Sequence, residues 1–173
     1  MTKYISIDIY GGCGPMKCIR GGNQNCDRLL YDYKFYIAAE NSICPDYITE
    51  KFYRALEMGV IPVVYGGGDY SAYAPPHSYI NAADFDTPQS LAEYLLLLDR
   101  NPRLYAKYLD WNKDWEVNKR KRLDGWCRLC EKLNEPKSPL NNLAVKIYVN
   151  MAKWFYDKVP CLSGTSIMKK YNS

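Results

Sequence analysis

This sequence predicts an α/β fold, a Rossmann-like parallel sheet with helices on both faces, and three features predict it. Apolar runs at Tyr33–Ala39 and Val60–Tyr65 have the near-continuous hydrophobicity of strands buried on both sides. Between them, Ile48–Met58 spaces Phe52, Ala55, Leu56 and Met58 as an amphipathic helix does. Strands alternating with helices in this order are joined by right-handed crossovers and lie parallel.

The elements follow in order. Tyr4–Tyr10 (Y-I-S-I-D-I-Y) alternates Ile5, Ile7 and Ile9 with Ser6 and Asp8, a strand pattern, so the chain opens almost inside a core strand and reads as truncated. A Gly- and Cys-rich loop reaches Asn25, and Cys26–Tyr33 reads as a short helical turn. The Ile48–Met58 helix ends at Gly59, a residue suited to the left-handed position after a helix. In Val60–Tyr65, Pro62 lacks the N–H a ladder needs and hints at a strand start or edge. Gly66–Asp69 makes a tight turn, Ser78–Asn81 a brief strand, and Thr87-Pro88 opens a helix through Leu98. Pro102 starts another helix through Trp115, beyond which the chain is helical. Two domains result: 1–116, the sheet lobe, and 117–173, a helical extension carrying Cys127-x-x-Cys130.

Composition narrows the function. The 173 residues suffice for one buried core, and 47% are apolar. A net charge of +4 favours an anionic ligand but is too mild to indicate nucleic acid. Lys119–Arg122 (K-R-K-R) is read as a solvated helix face, and the Leu143–Trp154 stripe as packing. Nothing approaches the roughly 20 apolar residues that span a bilayer, and no secretory segment follows Met1. Seventeen tyrosines against four phenylalanines suit sugar hydroxyls or an aromatic-rich core equally.

Seven cysteines is a high, odd count. One histidine, His77, and a lone C-x-x-C make a poor zinc site, which needs four ligands. Disulfides in an oxidising compartment are the preferred reading, with Cys13, Cys18, Cys26, Cys127, Cys130 and Cys161 as candidates and some partners lying elsewhere.

The most informative segment is Glu40–Lys51, E-N-S-I-C-P-D-Y-I-T-E-K. It joins a strand to a helix at the carboxyl edge of the sheet, where ligands bind in open α/β folds. A helix N-terminus there offers unpaired N–H groups and a positive dipole end to a phosphate, and Lys51 adds a full charge. The alternative is an ordinary cap, with Asp46 or Thr49 as N-cap and Glu50 in the first turn.

Taken together, Y-K-F-Y-I-A-A-E-N-S-I-C-P-D-Y-I-T-E-K, I-P-V-V-Y-G-G-G-D-Y and A-P-P-H-S-Y-I-N-A-A-D-F resemble the α1,3-fucosyltransferases. The match is tight over Lys34–Phe85 and looser over Ile5–Cys13 and the stretch to Trp115; W-C-R-L-C and the tail near Cys161 resemble the branch acting on the N-glycan core. Ala39 departs from the family's usual Phe. The resemblance implies the second, donor-binding lobe of a GT-B glycosyltransferase that moves fucose with inversion from GDP-fucose to the 3-hydroxyl of a GlcNAc. It implies that Lys51, Tyr47 and the helix N–H groups stabilise the leaving diphosphate, and that Glu50 and Asn41 contact ribose and fucose hydroxyls. Glu50 would also face the positive charge developing on the sugar, while Glu40 and Thr49 orient the turn.

The general base belongs to the family's first lobe, so none is assigned here. No metal is obligate, Mn²⁺ being possible but not required; Asp84-Phe85-Asp86 has the D-x-D form of other metal-using transferases but precedes a helix start. The implied partners are GDP-fucose, a glycoprotein N-glycan acceptor and the first lobe, with no nucleic acid. The implied location is the Golgi lumen, membrane contact coming only through an N-terminal anchor. In the family the terminal cysteine pair is tied by disulfides, including to first-lobe cysteines. Two rival readings are a non-catalytic sugar-binding module of the same fold and a disulfide-rich interaction domain.

Overall fold

The structure, a computed structural model, describes residues 1–12, 14–18, 26–117, 124–134, 149–158 and 161–162. Two units are distinguished: Met1–Glu116 together with the segment from Cys161, and Val117–Pro160. The first holds three parallel strands, β1 (Phe35–Ala39), β2 (Ile61–Tyr65) and β3 (Ile80–Asn81), in the order β1-β2-β3. Phe35 stands opposite Ile61 and Ala39 opposite Tyr65; Val63 and Val64 stand opposite Ile80 and Asn81. The architecture is the predicted α/β class.

Helix α1 (Cys26–Leu29) runs into a 3₁₀ turn at Leu30–Asp32. The crossover helix α2 (Glu50–Glu57) packs on β1 and β2 and buries Phe52, Ala55 and Leu56. It ends at Gly59, whose φ of 69° is strained for any residue with a Cβ. On the other face of β2, Ile61 and Val63 meet Ile80 and the apolar side of α3 (Pro88–Arg100), namely Leu91, Leu95 and Leu98. Both faces of the central strand are therefore covered, as its unbroken apolar run requires. Helix α3 starts on a reciprocal cap: Thr87 accepts from Ser90 N–H, and Ser90 Oγ accepts from Thr87 N–H.

Pro62 sits inside the central strand rather than at its start. Ile61 donates to Lys34 O on the β1 side, so position 62 faces β3, whose ladder begins only at Val63. The missing N–H leaves no ladder bond unmade. The predicted strand Tyr4–Tyr10 does not form: a parallel bridge pairs Tyr10 with Met16, and Ile5 packs on the core cluster instead. Alternation alone cannot make a strand without a ladder partner. The helix from Pro102 also ends early, at Lys107 (α4), and gives way to a 3₁₀ turn at Asp110–Lys113.

The second unit contains α5 (Asp124–Asn134) and α6 (Met151–Lys158), the latter capped by Asn150 Oδ1 accepting from Lys153 N–H. The basic run Lys119–Arg122 and Leu143 lie outside the described residues.

Phe52 anchors an aromatic cluster, with Tyr70 and Tyr79 packed edge-on against it at 5.1 and 5.8 Å. Tyr70 is 4% exposed, and its hydroxyl has no hydrogen-bond partner among the described residues. Burial, and then the charge of Glu40, push its phenol up to about 12.

Two stability predictions follow from this core. Leu98→Ala, at a position 1% exposed, lowers unfolding free energy by about 2–5 kcal/mol in urea titration. Tyr70→Phe removes the unpaired hydroxyl and stabilises by about 1 kcal/mol at neutral pH. Tyr70 ionises near 10 when unfolded and about 12 when folded, so the folded state loses stability as pH rises between them. The Phe variant therefore loses about 2–3 kcal/mol less over that interval, read as a smaller drop in its urea midpoint.

Candidate functional site

Strand β1 stops at Ala39, and Glu40 N–H still reaches Tyr65 O at 2.9 Å, so the turn leaves from the carboxyl edge of the sheet. Asp46 takes φ 59°, a left-handed conformation that Asp tolerates better than most residues, and stays in the turn. Thr49 occupies the N-cap place of α2 but does not cap it. Its hydroxyl donates instead to Glu40 Oε2 and its N–H to Glu40 Oε1, both at 2.8 Å. One carboxylate thus clamps the helix start to the strand end. The first turn of α2 carries no side-chain cap; Phe52 N–H bonds to Thr49 O at 3.3 Å, and the N–H groups of Glu50 and Lys51 and the helix dipole stay available to an anion.

Lys51 reaches back across the turn. Its ammonium donates to Ala39 O at 2.8 Å and to Asn41 Oδ1 at 2.6 Å. Both acceptors are neutral, and among the described residues no carboxylate pairs with it. The ammonium is fixed in place with its charge unneutralised and one donor to spare. The contact to residue 39 is through its carbonyl, so alanine there costs this bond nothing.

Of the predicted residues, Glu40, Asn41, Thr49 and Lys51 are joined by hydrogen bonds at the start of α2. Glu50 is exposed at the first helical position, and its field, after burial, raises the half-buried phenol of Tyr36 on β1. Tyr47 is exposed on the same turn, its N–H donating to Cys44 O.

Sequence reasoning missed two parts. Gly66–Gly68 pass so close to the turn that a Cβ on Gly67 would lie 2.6 Å from Cys44 O, and one on Gly68 2.4 Å from Ile48 Cγ1. Three glycines directly after a buried strand were the signal of such a close backbone approach. The second part is a disulfide, Cys44–Cys161, reinforced by Leu162 N–H donating to Ile43 O at 2.8 Å. Cys44, placed in the turn by its sequence, is thereby the partner of the predicted Cys161. Cys18 is also disulfide-bonded, Cys127 and Cys130 are exposed free thiols, and Cys13 lies outside the described residues. His77 does not join the turn; its ring packs edge-on against Tyr108. Asp84 accepts from Asn81 Nδ2 at 3.2 Å.

Residues 1–154 match the family model described as glycosyltransferase family 10 (fucosyltransferase), C-terminal. Drosophila melanogaster alpha-(1,3)-fucosyltransferase C is 38% identical over 91% of this chain and 36% of its own length. Glycoprotein 3-alpha-L-fucosyltransferase A of the same fly is 46% identical over 78% of this chain and 27% of its own. Human GDP-fucose protein O-fucosyltransferase 3 is 37% identical over 71% and 28%. A crystal structure of alpha1,3-fucosyltransferase with GDP-fucose gives a TM-score of 0.49 at 21% identity, covering 70% of this chain and 39% of that one. The chain spans about a third of the length of the curated relatives it matches.

The glycine wall makes the turn sensitive to a single methyl group. Gly67→Ala overpacks against Cys44 and lowers stability by about 1–3 kcal/mol in chemical denaturation. Gly12→Ala, where a Cβ meets nothing within 4 Å, leaves it unchanged.

Proposed function

We propose, from the premise that this chain belongs to glycosyltransferase family 10, matching its fucosyltransferase C-terminal domain over residues 1–154, that it is the donor-binding half of an α1,3-fucosyltransferase. The observation that carries this is the Lys51 ammonium, held by two neutral acceptors beside the uncapped start of α2. A cation so placed matches a leaving nucleoside diphosphate, whose negative charge grows as the glycosidic bond breaks. Preorganised donors at a reacting centre are worth about 3–4 kcal/mol each. Glu50 and Asn41 accept hydroxyls of ribose and fucose, and Glu50 faces the positive charge that develops on the sugar ring. Tyr47 supplies a further donor, while Glu40 and Thr49 hold the turn. In this reading GDP-fucose is bound without an obligate metal.

The general base that deprotonates the acceptor comes from a first lobe, and the chain alone binds donor without transferring it. The acceptor is the 3-hydroxyl of a GlcNAc in glycoprotein glycans, in the N-glycan core; the support is the W-C-R-L-C segment and the 46% identity to a glycoprotein 3-alpha-fucosyltransferase. The full protein works in the Golgi lumen, anchored by an N-terminal segment. No helix among the described residues is long and apolar enough to cross a membrane.

Calorimetry tests this reading. GDP binds the wild type and UDP binds less well, with EDTA making no difference. Lys51→Ala weakens GDP binding by about 1.5–3 kcal/mol, the value of a hydrogen bond to a charged group, which is roughly tenfold or more. Equal binding of UDP, or an unchanged Lys51→Ala, removes the site assignment.

A further inference from the structure

The unit Met1–Glu116 holds a cavity of about 400 Å³ that the donor turn does not use. It is a groove open on one side, built on β3 and the loop before it and walled by Tyr94 of α3 and by Tyr108 just past α4, with His77 and Asp84 exposed at its mouth. No residue of Glu40–Lys51 lines it. Its volume lies at the small end of ligand sites, which run about 300–1,000 Å³.

The lining decides what fits. Tyr79, Phe85, Tyr94 and Tyr108 contribute aromatic rings. The Tyr94 and Tyr108 hydroxyls are bonded to each other at 2.7 Å, which fixes both side chains. Asp84 gives one oxygen to Asn81 Nδ2 and keeps the other, and no other charged residue lines the space. With no lysine or arginine, it rejects phosphates and nucleotides. With a carboxylate and phenols among the rings, it is too polar for a lipid chain. Aromatic faces with a few fixed acceptors match a sugar ring, which has apolar C–H faces and a rim of hydroxyls.

His77 is the telling residue. It sits at φ 58°, a left-handed conformation that is uncommon outside glycine and costs of order 1–3 kcal/mol, yet the ring it carries lines this cavity and packs on Tyr108. Among the described residues its imidazole has no hydrogen-bond partner, so both nitrogens are open to a ligand.

We infer that the cavity between β3, α3 and Tyr108 is a saccharide site taking one neutral pyranose residue, with His77 and Asp84 as its hydrogen-bonding groups. The inference rests on this geometry and not on the nucleotide reading. The test is a titration of the amide spectrum of the full chain with N,N′-diacetylchitobiose, and separately with GDP. Chitobiose is expected to shift amides between Ser71 and Asp84, and GDP those between Glu40 and Lys51, so that either site can fail alone.

His77→Gly relieves the strained backbone, keeps the fold and deletes the imidazole. It weakens the chitobiose shifts about fivefold, the equivalent of one neutral hydrogen bond, and leaves the GDP shifts as they were. Asp84→Asn weakens the chitobiose shifts by at least as much. Absence of chitobiose shifts at millimolar sugar, shifts scattered over the surface, or His77→Gly and Asp84→Asn both binding like wild type each overturn the site.

Discussion

Glu40 ties the end of β1 to the beginning of α2, and the site is a consequence of that one carboxylate. It accepts both the N–H and the hydroxyl of Thr49, so a threonine in the ordinary capping place is turned away from its own helix. Hydrogen bonds to an ionised group are worth about 1.5–3 kcal/mol each, more than the ~1 kcal/mol a cap usually supplies. The balance explains why the helix start stays open. The backbone of Glu40 is itself pinned to Tyr65 O, so the clamp stands on the sheet and not on a loose loop.

The charge balance of the turn is arranged around the same point. Each oxygen of Glu40 accepts one hydrogen bond from Thr49, and Lys51 is held by a backbone carbonyl and an amide, so the two opposite charges are placed without a direct ion pair among the described residues. A direct ion pair would have been the simpler way to fix both side chains, and it would have left little field for a ligand. The glycines at positions 66–68 complete the arrangement by letting the backbone after β2 lie against the turn with no side chain between. Thr49 and Lys51 are therefore positioned from the strand end, by the Glu40 carboxylate and the Ala39 carbonyl, with the Asn41 amide beside them.

Much of this was legible in the residues. The apolar runs and helical spacing located β1, α2, β2 and α3, because each buries one continuous face, and Thr87-Pro88 marked a true helix start. The segment Glu40–Lys51 was recognisable as a strand-to-helix turn crowded with polar and charged side chains. What could not be read was whatever depends on a distant partner. Ile5, Ile7 and Ile9 had the alternation of a strand but lacked the ladder that makes one. The choice between Asp46 and Thr49 as cap was settled by a carboxylate nine residues earlier in the chain. The pairing of Cys44 was hidden by distance, and no local pattern marked the left-handed backbone of His77.

The disulfide that fastens the turn closes across 117 residues of sequence. Because translation runs from the amino end, every group of the Glu40–Lys51 turn leaves the ribosome long before Cys161 exists. Until then the turn is held by Glu40, Lys51 and the glycine wall alone. The covalent lock can close only after Cys161 has been made, and it needs an oxidant that the chain does not supply. A protein made in a reducing compartment would carry all the same residues and lack the lock, so redox environment, as much as sequence, completes the structure.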